Sequence, residues 1–238
     1  MSRPWTRPAV RFLASAVVRL AARTIVLGRD NIPRRGPLLV VFNHLGHIDA
    51  PVIISNLPYD VECVALSDLF RMPVTGQMLR LYGALSVQRD VVDRRLIAQA
   101  LAIFKAGGVL ALAPEARMSV TGALERARGG AAYLAIKAGV PILPCALTGT
   151  ENKHVYGEWK LLHRPRLTLT IGPAFRLPDL PLEGTGRRQS LEQASTIIMT
   201  HLAGMLPLAY RGVYAEAVQP SASPQEETGI PALAETDA

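Results

Sequence analysis

Cysteine, histidine and aromatic residues are all scarce in this 238-residue chain, and each scarcity excludes something. Two cysteines, Cys63 and Cys145, cannot build a disulfide framework. Both sit in apolar, strand-like runs and read as small buried hydrophobes of a protein in a reducing compartment. Aromatic residues make up 5% of the sequence and form no stacking ladder, so nucleic acid is not an expected partner. Of the five histidines, His154, His163 and His201 lie in no cluster with other metal-ligating residues. No internal repeat is visible. No small-residue cleavage site follows a continuous apolar core, so a secretory signal is not expected.

What is present points to a globular chain with an affinity for anions. Hydrophobic residues are 49% of the sequence, ample for a core, and the length suits one domain with appendages. A formal charge of +7 favours acidic lipid or a phosphorylated substrate. Residues 8–27 are apolar but interrupted by Arg11, Arg19 and Arg23, which would be expensive inside hydrocarbon. On a helix, Arg7, Arg11, Ser15, Arg19 and Arg23 share an arc of about 160°, opposite Val10, Leu13, Val17, Leu20, Thr24 and Leu27. That is the pattern of a basic amphipathic helix lying in a membrane interface. An ordinary surface helix packed on the domain would read the same way.

Three segments follow: a membrane-interface helix over 1–30, a main domain over 31–212, and a tail over 213–238. Pro, Ser, Glu and Ala dominate the tail and predict disorder. Within the domain, strand-like runs occur at 38–42, 61–66, 84–88, 109–113, 142–147 and 166–171. Helical patterns cover about 91–106, with Asp90 as N-cap, and about 127–138 and 187–206. The alternation predicts an α/β fold: a mixed, largely parallel sheet covered by helices on both faces.

The run Leu38–Phe42 is followed by Asn43-His44-Leu45-Gly46-His47-Ile48-Asp49. A buried strand would deliver this segment to its C-terminal edge, where open α/β sheets keep their chemistry. Gly46 breaks the path and Pro51 suits the first turn of a following helix, so the chain can fold back and bring Asp49 to His44. An imidazole oriented by a carboxylate is a general base for a hydroxyl. His47 reads as a loop histidine. Taking His44, His47 and Asp49 as metal ligands of a hydrolase is a rival, but His-x2-His-x-Asp is a poor zinc spacing and no metal is expected.

Further along stand Gly83-Ala84-Leu85-Ser86-Val87-Gln88-Arg89, Ala113-Pro114-Glu115-Ala116-Arg117 and Val140-Pro141-Ile142-Leu143-Pro144. With His44-x4-Asp49, these resemble the four ordered blocks of the glycerolipid acyltransferases, the family that includes lysophosphatidate acyltransferase. The resemblance covers about residues 30–175. It implies that His44 and Asp49 are catalytic, and that Arg89 holds the acceptor's phosphate, its alternative being a salt bridge to Asp90 or Asp93. Glu115 would anchor the active-site loop or the acceptor's hydroxyls. The third block departs from the family's Pro-Glu-Gly-Thr-Arg-Ser: Ala116 stands for Gly, Arg117 comes one residue early, Met118 takes the arginine's place, and Ser119 keeps register. Arg117 is then a less secure phosphate ligand than Arg89.

The implied activity moves an acyl group from a thioester, acyl-CoA or acyl carrier protein, to the hydroxyl of lysophosphatidate, giving phosphatidate. No other cofactor is implied. The enzyme would be peripheral, at an anionic membrane surface on the cytoplasmic face. Glycerol-3-phosphate or another lysophospholipid as acceptor is the nearest alternative, and a lipid-binding protein without turnover is a further one.

Overall fold

The computed structural model describes residues 6–88 and 93–218. In chain order the elements are α1 (Thr6–Ala21), β1 (Arg23–Leu27), β2 (Leu38–Phe42), α2 (Asp49–Asn56), β3 (Val61–Leu66), α3 (Pro73–Tyr82) and β4 (Leu85–Val87). Then come α4 (Arg94–Lys105), β5 (Val109–Leu112), α5 (Gly130–Ala138), β6 (Ile142–Thr148), α6 (Asn152–Lys160), β7 (Arg166–Ile171) and α7 (Arg187–Gly204). Among the described residues one seven-stranded sheet runs in the order β1-β7-β6-β2-β5-β3-β4. The pairings are parallel except β6 with β7. The expected α/β fold is present.

The all-apolar sequence of β2 explains its central place. Leu38, Val40 and Phe42 enter one core with Val52, Ile53 and Ile54 of α2, while Leu39 and Val41 enter the other with Ala100 and Phe104 of α4 and Ala131 and Leu134 of α5. Burial pushes the Cys63 and Cys145 thiols up to about 12, so neither is a reactive thiolate. The chain leaves β2 into α2 on one face of the sheet and leaves β5 towards α5 on the other. Neighbouring strands whose connections diverge to opposite faces open a crevice at their C-terminal ends.

Several boundaries differ from the sequence reading. Asp93 is the N-cap of α4, its carboxylate accepting from Arg95 N at 2.9 Å and Leu96 N at 3.0 Å; Asp90 lies outside the described residues. Helix α3, unforeseen, starts at Pro73 and ends at Gly83, whose φ of 82° is the left-handed conformation that glycine supplies. The amino-terminal helix stops at Ala21, and residues 23–27 form an edge strand beside β7. Two things end α1. Trp159 Nε1 donates to Ala21 O at 2.8 Å and Arg164 donates to Ala22 O at 2.8 Å and to Arg19 O, so the last carbonyls are satisfied from outside. The Thr24-Ile25-Val26 run then favours extended backbone. Residues 23–27 thus share one sheet with the strands that follow residue 30.

The arginine arc of α1 also has a different use. Arg7 pairs with Glu62, its Nη2 lying 2.7 Å from Oε2, and donates from Nε to Tyr82 O at 3.1 Å. Arg11 reaches Asp60 at 3.6 Å and donates to Leu57 O. Arg7 and Arg11 are therefore turned towards the domain while Arg19 and Arg23 stay exposed, and Phe12, Leu13, Val17 and Leu20 face outward, Phe12 and Leu20 each 76% exposed. Among the described residues no helix is long and apolar enough to cross a membrane.

This docking predicts that Arg7→Ala lowers stability by about 1–3 kcal/mol, because it strands Glu62 and the Tyr82 carbonyl. Arg19→Ala, on the exposed side, should stay within about 0.5 kcal/mol. Urea midpoints measure both, and equal midpoints would contradict an α1 pinned by Arg7.

Candidate active site

At the C-terminal end of β2 the backbone leaves the sheet and Asn43 replaces the ladder. Its buried side chain donates from Nδ2 to Leu147 O at 2.8 Å and accepts from Leu147 N at 2.7 Å, extending the β2–β6 pairing by one side chain. The next residues turn tightly. Gly46 lies so close to the Thr150 carbonyl that a Cβ there would overlap it, so only glycine allows this approach.

The turn brings Asp49, the first residue of α2, back to His44. His44 Nδ1 is 2.7 Å from Asp49 Oδ2, and the same oxygen accepts from Leu45 N at 2.7 Å and Gly46 N at 2.8 Å. Asp49 is fully buried, and its other oxygen, Oδ1, has no hydrogen-bond partner among the described residues. A carboxylate so placed fixes the imidazole as the Nδ1–H tautomer. The His44 side chain remains 29% exposed, with Phe42 edge-on to its ring, and Nε2 has no partner among the described residues. The pair expected from sequence is therefore assembled, with its basic nitrogen accessible.

The loop after β5 clamps the backbone of His44 from both sides. Glu115 accepts from His44 N at 3.4 Å through Oε1 and from Glu125 N at 2.8 Å through Oε2. Ser119 N donates to His44 O at 2.7 Å. Burial pushes the Glu115 carboxyl up to about 7, against the opposing pull of the Glu125 and His44 N–H groups. Glu115 is thus a loop anchor that holds the segment carrying His44. The Ser119 hydroxyl is used within the loop, donating to Ala123 O at 2.6 Å.

Arg117 is engaged as well. It forms an ion pair with Glu125, Nε lying 2.7 Å from Oε2. The Val120 N–H and then the Arg117 guanidinium hold the Glu125 carboxyl below the usual carboxylate range. Arg89 lies outside the described residues. His47 Nδ1 is 2.9 Å from the Tyr156 hydroxyl and its N–H donates to Asn152 Oδ1 at 3.0 Å, a position suited to a loop histidine. Among the described residues no three His, Cys, Asp or Glu side chains are grouped to hold a metal.

Three residues escaped the sequence reading. Glu125 is the partner of both Arg117 and the Glu115 loop, and Asn152 ties the His47 turn to α6 while its Nδ2 lies 3.7 Å from Met118 Sδ. Asn152 is distant in sequence from both residues it meets. Asn43 alone left a signal, a polar residue directly after a fully apolar strand, where burial demands pairing.

Ala116 explains the altered third block. Its φ is +56°, the left-handed conformation that glycine adopts freely, and the residue is exposed. A non-glycine residue there costs about 1–2 kcal/mol, against about 0.5–1 kcal/mol of chain entropy for glycine. Ala116→Gly should therefore raise stability by up to about 1 kcal/mol in thermal unfolding. A clear loss would contradict the left-handed turn.

Comparison with known proteins agrees with this geometry. The "1-acyl-sn-glycerol-3-phosphate acyltransferase" of Borreliella burgdorferi is 26% identical over 132 residues, 55% of this chain and 53% of that protein. A protein of the same name from Bacillus subtilis is 24% identical over 174 residues, 71% of this chain and 83% of that protein. The chain spans about half the length of the first of these relatives. The crystal structure of the 1-acyl-sn-glycerophosphate acyltransferase PlsC from Thermotoga maritima shares the fold, with a TM-score of 0.60 at 21% identity over 80% of this chain and 76% of that one. The model of the family described as "Acyltransferase" matches residues 23–148, which contain β1 to β6, the His44–Asp49 pair and the Glu115 loop; more than half of the sequence lies inside it, and the chain belongs to that family.

Proposed function

We propose that this chain is an O-acyltransferase that moves a fatty acyl group from a thioester to the free hydroxyl of a lysophosphatidate-type acceptor. The 2.7 Å contact between His44 Nδ1 and buried Asp49 Oδ2, with Nε2 open at the crevice, carries this reading. Relatives named for this activity support it.

The chemistry follows from the geometry. An alcohol is far too weak an acid to ionise near neutrality, so it attacks a carbonyl only as a base takes its proton. Asp49 keeps the proton on Nδ1, which leaves the lone pair on Nε2 for the acceptor hydroxyl. As Nε2 takes that proton, the alkoxide oxygen bonds to the thioester carbonyl carbon. The tetrahedral adduct then collapses, the C–S bond breaks, and the thiolate recovers the proton from Nε2–H. The thioester is already activated, so no acyl-enzyme is required. CoA or acyl carrier protein would supply it. Arg89 and Arg117 are the candidates for the acceptor's phosphate, and Arg117 would have to exchange Glu125 for it.

The outward apolar face of α1 favours an acceptor that carries a chain over soluble glycerol-3-phosphate. Laid on a membrane, Phe12, Leu13, Val17 and Leu20 would bury in the acyl boundary and hold the crevice near its lipid substrate. The cytoplasmic side suits the two unpaired cysteines.

Two outcomes test this. His44→Ala should abolish acyl transfer from a long-chain acyl-CoA to lysophosphatidate, and Asp49→Asn should cost about 10⁴-fold through the wrong tautomer, both with unchanged circular dichroism; turnover near wild type in folded His44→Ala protein contradicts the mechanism. Leu13→Ser/Leu20→Ser should weaken binding to phosphatidylcholine vesicles and lower activity on long-chain acceptors more than on short soluble ones. Unchanged vesicle binding would show that the membrane contact lies elsewhere.

A further inference from the structure

A second cleft, of about 380 Å³, lies between the end of α1, the start of β1 and the end of α2. Arg19, Arg23, Arg29 and Arg164 line it, and no acidic residue among those described does. Arg164 is fixed by the α1 carbonyls, and Arg29 makes one long contact of 3.4 Å to Asn56 Oδ1. The Arg19 and Arg23 side chains have no partner among the described residues. Thr24 and Ser55 also line the cleft, with their hydroxyl oxygens buried. Four arginines around one cleft, with no carboxylate beside them among the described residues, leave positive charge uncompensated. An oxyanion meets that demand, accepting from more than one guanidinium at once.

We propose that this cleft binds the phosphate of an anionic glycerophospholipid, at a site separate from the acceptor site. The separation is set by α2: Asp49 opens the helix and Ser55 lies six residues on, roughly 9 Å along its axis. The surroundings select a lipid over free phosphate. Val17 and Leu20 of α1 and Ile25 and Leu27 of β1 are exposed beside the arginines, and Ile25 itself lines the cleft. A phosphate carrying acyl chains places its oxygens among the arginines and its chains along these residues. The arginine arc thus divides its work. Arg7 and Arg11 hold α1 on the domain, whereas Arg19 and Arg23 remain for the lipid. Bound phospholipid would set the orientation of the enzyme on the membrane.

The choice of lipid rests on the membrane reading of α1 given above, and the experiment separates the two. Sedimentation of the full chain with phosphatidylcholine vesicles, with and without phosphatidylglycerol, measures the gain in affinity from the anionic lipid. Arg19→Gln/Arg23→Gln should cut that gain about tenfold or more, whereas Arg187→Gln/Arg188→Gln, the same charge change on α7, should leave it intact. Equal losses in the two arginine pairs would reduce the effect to net charge and overturn the site. Stabilisation by millimolar inorganic phosphate as large as that by phosphatidylglycerol vesicles would overturn the lipid assignment in favour of a free anion. If only binding to pure phosphatidylcholine proves insensitive to Leu13→Ser/Leu20→Ser, the apolar docking of α1 fails while the cleft stands.

Discussion

One oxygen, Asp49 Oδ2, gathers three donors: His44 Nδ1, Leu45 N and Gly46 N. Those bonds close the turn between β2 and α2 around the carboxylate, so the backbone that positions His44 and the group that orients its ring are one construction. The other features of the site serve this turn. Gly46 allows the chain to pass against the Thr150 carbonyl, Asn43 carries the sheet up to the point of departure, and Phe42 packs on the ring. Removing the carboxylate would therefore loosen the loop as well as release the tautomer.

The loop after β5 is a second enclosure around the same residue. Glu115 takes the His44 N–H, Ser119 gives its own to the His44 carbonyl, and Glu125 closes the circuit through the Glu115 carboxylate and Arg117. Such an arrangement stores cost in several places: a buried carboxyl pushed up to about 7, an Asp49 Oδ1 without a partner among the described residues, and Ala116 in the left-handed region. Concentrated strain and desolvation are characteristic of sites where geometry serves chemistry.

Much of this was legible from residue order. The apolar runs at 38–42, 61–66 and 166–171 coincide with β2, β3 and β7, because a buried strand announces itself by composition. The turn from His44 to Asp49 was readable because Gly46 and Pro51 leave the backbone few alternatives. What stayed hidden depends on partners remote in sequence. Helical periodicity runs without interruption through Thr24 and Leu27, and only Trp159 and Arg164, which seize the α1 carbonyls, show that the helix has ended. Likewise the arc of arginines was visible but not its sense, which Glu62, Asp60 and the Tyr82 carbonyl decide. Arg117 read as a phosphate ligand, and its ion pair with Glu125, eight residues on, left no signal in the sequence.

The claim on which the account turns is that Asp49 holds the proton of His44 on Nδ1 and leaves Nε2 as the base. Nitrogen-15 NMR of histidine-labelled protein, at a pH well above the ordinary histidine range, reads that directly. The account predicts that the His44 resonances show a protonated Nδ1 and a bare Nε2, and that Asp49→Asn mixes or inverts the two. A wild-type His44 carrying its proton on Nε2 would contradict it, because a nitrogen that already holds a proton cannot take one from the acceptor.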